Sequence, residues 1–115
     1  MLVEDEPDLR AMMSEVLQMQ GYSILEAGTG FDALNILQYD DSIDLLITDI
    51  VLPGGMDGFD LANRINRSNP GIPVLFMSGF AGRIDLEQMD IKGPVLRKPI
   101  PLTTLSDTIQ SILET

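Results

Sequence analysis

The chain has 115 residues, which favours one domain that can bury a core without disulfides or metals. It contains no cysteine and no histidine, which excludes disulfides, thiol chemistry and an imidazole base and disfavours zinc catalysis. The net charge of −11, from 7 basic and 18 acidic residues, argues against direct contact with nucleic acid or an anionic membrane surface.

The first third of the chain predicts a short strand, a helix and a second strand. Val3 closes a very short apolar run, Pro7 suits the first turn of a helix, and Gly21 is a stop signal after that helix. Residues 22–27 read as a strand, and residues 28–30 as a turn. The apolar stripe of the helix consists of Leu9, Met12, Met13, Val16 and Leu17.

The middle of the chain predicts a second helix, a buried strand and a third helix. The stripe of the second helix consists of Ala33, Leu34 and Leu37. Residues 43–48 are nearly all apolar, as expected of a strand that is covered on both faces. A loop at residues 53–55 precedes the third helix, which opens at Asp57 or Gly58. The apolar residues of that helix are Phe59, Ala62 and Ile65.

The last third predicts two more strand–helix units. Residues 72–77 form a buried strand and residues 94–97 a short final one, while residues 81–90 between them have a weaker helical pattern. The stripe of the closing helix consists of Leu102, Leu105, Ile109, Ile112 and Leu113. This alternation predicts an α/β domain with a parallel sheet, helices on both faces and right-handed crossovers.

Polar side chains stand where four of the apolar runs stop. Glu4 and Asp5 follow the first run, Asp49 the third, Ser78 the fourth and Lys98 the last. The carboxyl ends of parallel strands share one edge of the sheet, which is where ligands bind in open α/β folds. Three carboxylates, a hydroxyl and an ammonium would then surround one small volume, a set that suits a divalent cation and a phosphoryl group.

Each of these residues also has an ordinary structural explanation. Glu4 and Asp5 could serve as an acidic first helical turn, Ser78 as a turn former and Lys98 as a solvated terminal lysine. Asp49 could be a helix cap, but the loop at residues 53–55 follows it and no helix begins there for it to cap. Asp49 is therefore the sharpest functional signal among them.

The acidic set points to a hard cation. Two carboxylates about 4 Å apart repel by ~4 kcal/mol at an effective dielectric constant near 20, so three of them need a cation or a shared proton. Oxygen-only ligands completed by water fit Mg²⁺ better than a full Ca²⁺ cage. The chain has no calcium-loop spacing of acids.

Taken in order, these motifs resemble the receiver domain of two-component response regulators over nearly the whole chain. The segments that carry the resemblance are Val3-Glu4-Asp5-Glu6-Pro7, Asp49-Ile50-Val51-Leu52-Pro53, Met56-Asp57-Gly58, Ser78-Gly79 and Lys98-Pro99. The resemblance implies one receiver domain over residues 1–115. It implies a flavodoxin-like (CheY-like) fold, with a five-stranded parallel sheet in the order 2-1-3-4-5 and five helices on both faces.

The resemblance also implies the chemistry. Asp49 would accept a phosphoryl group from the phosphohistidine of a histidine kinase or a histidine phosphotransfer domain. Lys98 would pair with the phosphoryl oxygens, Ser78 would hydrogen-bond one of them, and the Lys98-Pro99 peptide would be cis. Mg²⁺ would be held by Glu4, Asp5, Asp49 and the backbone carbonyl of Val51.

Two departures from the family pattern bear on signalling. Val95 stands where family members commonly carry an aromatic switch residue, so the conformational signal would be weaker or take another route. The loop at residues 53–56 is one residue longer than the commonest form, and it resembles receivers attached to hybrid sensor kinases.

The sequence is also compatible with two other functions. A Mg²⁺-dependent phosphohydrolase with an aspartate nucleophile tends to have a second acid two residues later, and that position is Val51 here. A degenerate receiver would only bind a protein partner, although the intact set of acids and Lys98 speaks against it. We therefore expect a phosphoacceptor that is not an enzyme beyond self-catalysed phosphorylation and slow dephosphorylation.

The sequence also predicts where such a module acts. No apolar run approaches the ~20 residues of a membrane span, and Glu4, Asp5 and Glu6 interrupt any secretory signal. We expect a cytoplasmic domain, which could be the cytoplasmic part of a larger membrane-bound hybrid kinase and could form a homodimer once phosphorylated. No contact with nucleic acid or membrane is expected of the domain itself.

Overall fold

Five parallel strands form one sheet in the order β2-β1-β3-β4-β5 in the computed structural model, which describes residues 1–40, 42–79 and 93–114. The strands are β1 (Leu2–Val3), β2 (Glu26–Ala27), β3 (Leu46–Asp49), β4 (Val74–Ser78) and β5 (Val95–Arg97). All neighbouring pairs are parallel. The predicted sheet and its strand order are confirmed.

Helices cover both faces of this sheet. Within the described ranges they are α1 (Pro7–Met19), α2 (Gly30–Leu37), α3 (Gly58–Ser68) and α4 (Leu102–Leu113). The fifth predicted helix, at residues 81–90, lies outside the described residues. None of the helices in the described part of the chain has the length and apolar character needed to cross a bilayer.

The core has two layers, one on each face of the sheet. On one face α2 and α3 pack against the strands, and the buried residues there include Val3, Ala33, Leu46, Leu61, Ile65 and Phe76. On the other face α1 and α4 do so, and the buried residues include Leu2, Met13, Leu17, Ile47, Leu75, Leu105 and Ile109. Because successive strand residues point to opposite faces, neighbours such as Leu46 and Ile47 serve different layers.

Local signals set the helix boundaries. Pro7 occupies the first helical position of α1, and Gly21 follows that helix with a φ of 100°, a conformation that glycine adopts without strain. The hydroxyl of Thr29 accepts a hydrogen bond from the Asp32 amide at 3.0 Å, which caps α2. Asp57 caps α3 in a reciprocal capping box with Asp60.

Some predicted boundaries differ from the structure. The predicted strand at residues 22–27 pairs only at Glu26 and Ala27, because β1 offers partners only at Leu2 and Val3. Met12, placed in the apolar stripe of α1 by its spacing, is 47% exposed, whereas Met13 is buried. Hydrophobic spacing thus located the elements but did not fix the extent of strand pairing or the edge of a helix face.

Gly58 allows α3 to begin directly beneath β3. A Cβ atom at this position would overlap the backbone carbonyl oxygen of Asp49, and the Gly58 amide donates to the Ile50 carbonyl at 2.7 Å. We expect Gly58→Ala to lower the free energy of unfolding by about 1–3 kcal/mol, because the helix start must shift away from β3. Urea unfolding measures this, with Gly79→Ala as the control, since a Cβ there meets no atom of the described residues within 4 Å. Equal losses in the two variants would contradict the steric argument.

Candidate functional site

The carboxyl edge of the sheet brings the sequence-predicted residues together. Asp49 is the last residue of β3, and Ser78 is the last residue of the neighbouring strand β4. Lys98 directly follows β5, and its amide donates to the Ser78 carbonyl at 2.8 Å. The strand register therefore places an acid, a hydroxyl and an ammonium on three adjacent strand ends.

Three carboxylates form a cluster at this edge. Glu4, Asp5 and Asp49 each offer an oxygen, and these oxygens all lie within 4.8 Å of one another. Glu4 and Asp49 are buried, with 1% and 4% of their surface exposed, whereas Asp5 is exposed. The turn after β1 thus directs both adjacent acids toward the end of β3, as the sequence predicts.

The Lys98 ammonium lies between the two buried acids. Its Nζ donates to Oε1 and Oε2 of Glu4 at 2.8 and 2.7 Å and lies 2.6 Å from Oδ1 of Asp49. One cation therefore serves two buried anions, and the exposed carboxylate of Asp5 adds a third negative charge nearby. The site has an excess of negative charge that Lys98 alone does not balance.

Asp49 is the least satisfied member of the cluster. Despite the ion pair with Lys98, its two carboxylate oxygens are buried without a hydrogen bond of regular geometry from any described residue. Burial raises the pKa of the Asp49 carboxyl above its usual value of 3.8, and the Lys98 ammonium and the Asp5 amide only partly oppose this. A buried carboxylate with lone pairs to spare is suited to accept a cation or to attack an electrophile.

The donor set fits a hard divalent cation. Three carboxylates from two strand ends converge, two of them are buried, and the Asp49 oxygens accept no hydrogen bond of regular geometry from the described residues. No nitrogen or sulfur ligand of histidine or cysteine exists in this chain. An oxygen-only set of this kind is one that hard cations such as Mg²⁺ and Ca²⁺ prefer.

The remaining predicted residues lie around this cluster. Val51 follows in the loop after β3 with its side chain 82% exposed, while Ser78 is buried. Val95 in β5 is partly buried and packs against the core layer of α2 and α3. The Lys98-Pro99 peptide is cis, as the family resemblance predicts.

Arg10 is a residue that sequence reasoning missed. Its Nη1 donates to the backbone carbonyl of Glu4 at 2.8 Å, so it contacts the acidic turn from one turn inside α1. A lone arginine on a predicted helix of an acidic chain gives no direct sign of a specific partner. The available signal was its position six residues after Glu4, where a long side chain can reach back to the end of the strand.

Comparison with known proteins agrees with this architecture. The family model described as the response regulator receiver domain matches residues 1–110. The chain is 34% identical to the response regulator receiver protein CpdR of Brucella abortus, over 98% of this chain and 94% of that protein. It is also 34% identical to the sensor kinase CckA of the same organism, over 99% of this chain but 12% of that protein.

Solved structures show the same likeness. The receiver domain of the hybrid histidine kinase CckA superposes with a TM-score of 0.81 at 32% identity, covering 97% of this chain and 95% of that one. The chemotaxis protein CheY4 of Vibrio cholerae gives a TM-score of 0.86 at 27% identity, covering 97% and 95%.

The strand order, the helices on both faces and the match to receiver structures place the chain in the class of receiver-type signalling domains. The chain belongs to the response regulator receiver domain family of two-component systems. Members of this family are signalling phosphoacceptors, and neither the phosphohydrolase nor the degenerate receiver is favoured by the comparisons.

Proposed function

We propose that Asp49 accepts a phosphoryl group from a phosphohistidine on a partner histidine kinase or histidine phosphotransfer domain, in a Mg²⁺-dependent reaction. The observation that carries this proposal is the meeting of Glu4, Asp5, Asp49 and Lys98 within one cluster. The chain itself has no histidine, so the donor belongs to another domain.

Asp49 acts as the nucleophile. One of its carboxylate oxygens, neither of which accepts a regular hydrogen bond from the described residues, attacks phosphorus in line with the bond to the donor imidazole. A new O–P bond forms, the P–N bond breaks, and its electron pair stays on the imidazole nitrogen. Burial at the end of β3 keeps competing water away from this oxygen.

The acidic cluster would hold the metal. Glu4, Asp5 and Asp49 would supply carboxylate oxygens, and Val51 would supply its backbone carbonyl. Bound Mg²⁺ would neutralise charge on the transferred group. Asp5 is the exposed acid of the cluster, so it leaves the site open toward solvent, whereas Glu4 is fixed from the inside by Lys98.

Lys98 and Ser78 would stabilise the product. The phosphoryl group adds roughly 1.5 to 2 negative charges at Asp49, so the Lys98 ammonium, already 2.6 Å from Oδ1, pairs with its oxygens. Ser78 stands on the adjacent strand end, where its hydroxyl donates to one of them. Movement of this end of β4 toward the new charge would start the conformational switch.

The relatives of the chain and its net charge bear on its partner and its cellular location. The chain spans 12% of the sensor kinase CckA and nearly all of CpdR, so its relatives include both a large kinase and a receiver-length protein. The receiver family supports a histidine kinase partner, and a cytoplasmic location and dimerisation upon phosphorylation are further proposals. The net charge of −11 favours protein partners over nucleic acid.

Phosphorylation of the purified chain tests the proposed function. We expect acetyl phosphate with Mg²⁺ to add one phosphoryl group, and a phosphohistidine donor to do so faster, because the donor domain is bound and positioned. Intact-mass spectrometry counts the groups, and Asp49→Asn should abolish labelling while the control Asp107→Asn, an exposed acid of α4, keeps it. Undiminished labelling of Asp49→Asn would refute the assignment, and steady phosphate release from small esters would support a phosphohydrolase.

A further inference from the structure

Arg10 holds the peptide unit that links two of the clustered acids. Its Nη1 donates to the Glu4 carbonyl oxygen at 2.8 Å, and that carbonyl belongs to the peptide between Glu4 and Asp5. A peptide unit is planar, so fixing its oxygen restricts the directions in which both residues leave it. On the other side of Glu4, its amide donates to the Ala27 carbonyl at 3.1 Å. The backbone of the acidic turn is therefore anchored at two adjacent points.

The Arg10 side chain is itself held in place by its neighbours. Its Nε lies 3.7 Å from Oε1 of Glu26 on β2, and the other oxygen of Glu26 accepts from Ser14 at 3.1 Å. Gln18 in turn donates to the Ser14 hydroxyl at 2.8 Å. At Gly28 an added Cβ would lie 3.0 Å from Nη1, so the guanidinium passes close to the backbone after β2. With 24% of its side chain exposed, Arg10 is fixed from several sides.

We propose that Arg10 is a positioning residue for the metal-binding acids, an inference that rests on the proposed Mg²⁺ site. Glu4 has a second anchor because its carboxylate binds Lys98. Asp5 has no such anchor, because its carboxylate makes no hydrogen bond or ion pair with another residue in the described part of the chain. The direction of the Asp5 carboxylate therefore depends on the backbone that Arg10 holds.

A positioning role and a purely electrostatic role of Arg10 predict opposite changes in Mg²⁺ affinity when the residue is removed. As a positive charge near the cluster, Arg10 repels a divalent cation, so its removal alone would strengthen Mg²⁺ binding. As an anchor of the Glu4–Asp5 peptide, it pre-organises the ligands, so its removal would weaken Mg²⁺ binding. Removal of such supporting partners typically lowers metal affinity by about 10- to 100-fold. The sign of the change thus separates the two roles.

The experiment is a Mg²⁺ titration of the whole chain by calorimetry, at a temperature well below unfolding. We expect about tenfold weaker binding in Arg10→Ala and no weakening in Arg64→Ala, which removes the same charge from the exposed surface of α3. Arg10→Lys keeps the charge but not the fork of donors that reaches both the carbonyl and Glu26, so it should restore affinity only in part. Amide NMR shifts at Asp5 in metal-free Arg10→Ala report the loosened turn independently of the metal.

Each outcome decides the proposal. Equal or tighter Mg²⁺ binding in Arg10→Ala, with wild type still labelled at Asp49, would overturn the role of Arg10 and leave the proposed function intact. Absence of Mg²⁺ binding and of labelling in the wild type would overturn both. If Arg10→Ala does not fold, Arg10→Lys decides instead, since wild-type affinity in that variant would count against positioning.

Discussion

Lys98→Ala is expected to destabilise the domain by about 3–5 kcal/mol in metal-free buffer, because it leaves two buried carboxylates without their cation. Glu4 and Asp49 are both buried, and the Lys98 ammonium lies 2.6 to 2.8 Å from oxygens of both. A loss of this size is a large fraction of the 5–15 kcal/mol typical of a whole domain. The variant is also expected to accept phosphate at least about 100-fold more slowly, because no ammonium offsets the charge on the transferred group.

Chemical denaturation with and without Mg²⁺ measures this effect. Lys98→Met is the matched control for packing, since it keeps an unbranched stem and removes only the charge; it should lose almost as much stability as Lys98→Ala. Mg²⁺ should restore part of the loss in both variants, because a divalent cation replaces the missing counter-charge. Full stability of Lys98→Met without metal would show that the ion pairs contribute little.

Asp49→Asn is expected to be more stable than the wild type at neutral pH without metal, by enough to raise the melting temperature by a few degrees. The asparagine keeps the shape of the side chain but removes a buried negative charge that burial disfavours. Lys98 does not become unpaired, because it keeps both hydrogen bonds to Glu4. The residue that carries the proposed chemistry therefore lowers the stability of the resting domain.

The difference in stability between Asp49→Asn and the wild type depends on pH because the pKa of Asp49 is raised in the folded state. The folded state holds the proton on Asp49 to a higher pH than the unfolded state, in which the pKa is near 3.8. The stabilising contribution of protonated Asp49 is present below that value and is lost as the pH rises through the folded-state pKa. Asp49→Asn and wild type should therefore converge in acid and diverge toward neutral pH.

Urea unfolding in EDTA, near pH 4 and near pH 7, measures this difference. Asp107→Asn controls for the change in net charge, since Asp107 is an exposed acid of α4. Mg²⁺ should reduce the difference in free energy of unfolding at neutral pH, because it should stabilise the wild type more than Asp49→Asn. A less stable Asp49→Asn at pH 7 would mean that attraction to Lys98 outweighs the cost of burial.

Much of the site could be predicted because a parallel sheet converts order in sequence into position in space. Asp49, Ser78 and Lys98 each stand within two residues of the end of an apolar run, and a parallel arrangement leaves them no other edge on which to lie. The fold class and strand order followed from the alternation of elements and the family motifs. The placement of Asp5 beside Asp49 also depended on a turn, which Pro7 made predictable.

What could not be predicted depends on side-chain geometry. The Lys98 ammonium contacts both Glu4 and Asp49, and the spacing of residues in the sequence does not predict which acids a lysine will contact. The role of Arg10 was missed because its partner is a backbone carbonyl, and only its position six residues after Glu4 gives a weak sign of that contact. Met12 shows the same limit at the rim of a helix face, where one step of 100° separates core from solvent.

The pairing of Lys98 with Glu4 joins residues 94 positions apart in the chain. During synthesis, Glu4 and Asp49 both emerge well before the cation that balances them, so the sheet gains its last strand and its charge balance in the same late step. A nascent or partly unfolded chain would thus present uncompensated acids and no ammonium for an incoming phosphate. The complete charged site should therefore form only once β5 has joined the sheet and brought Lys98 beside the two buried acids.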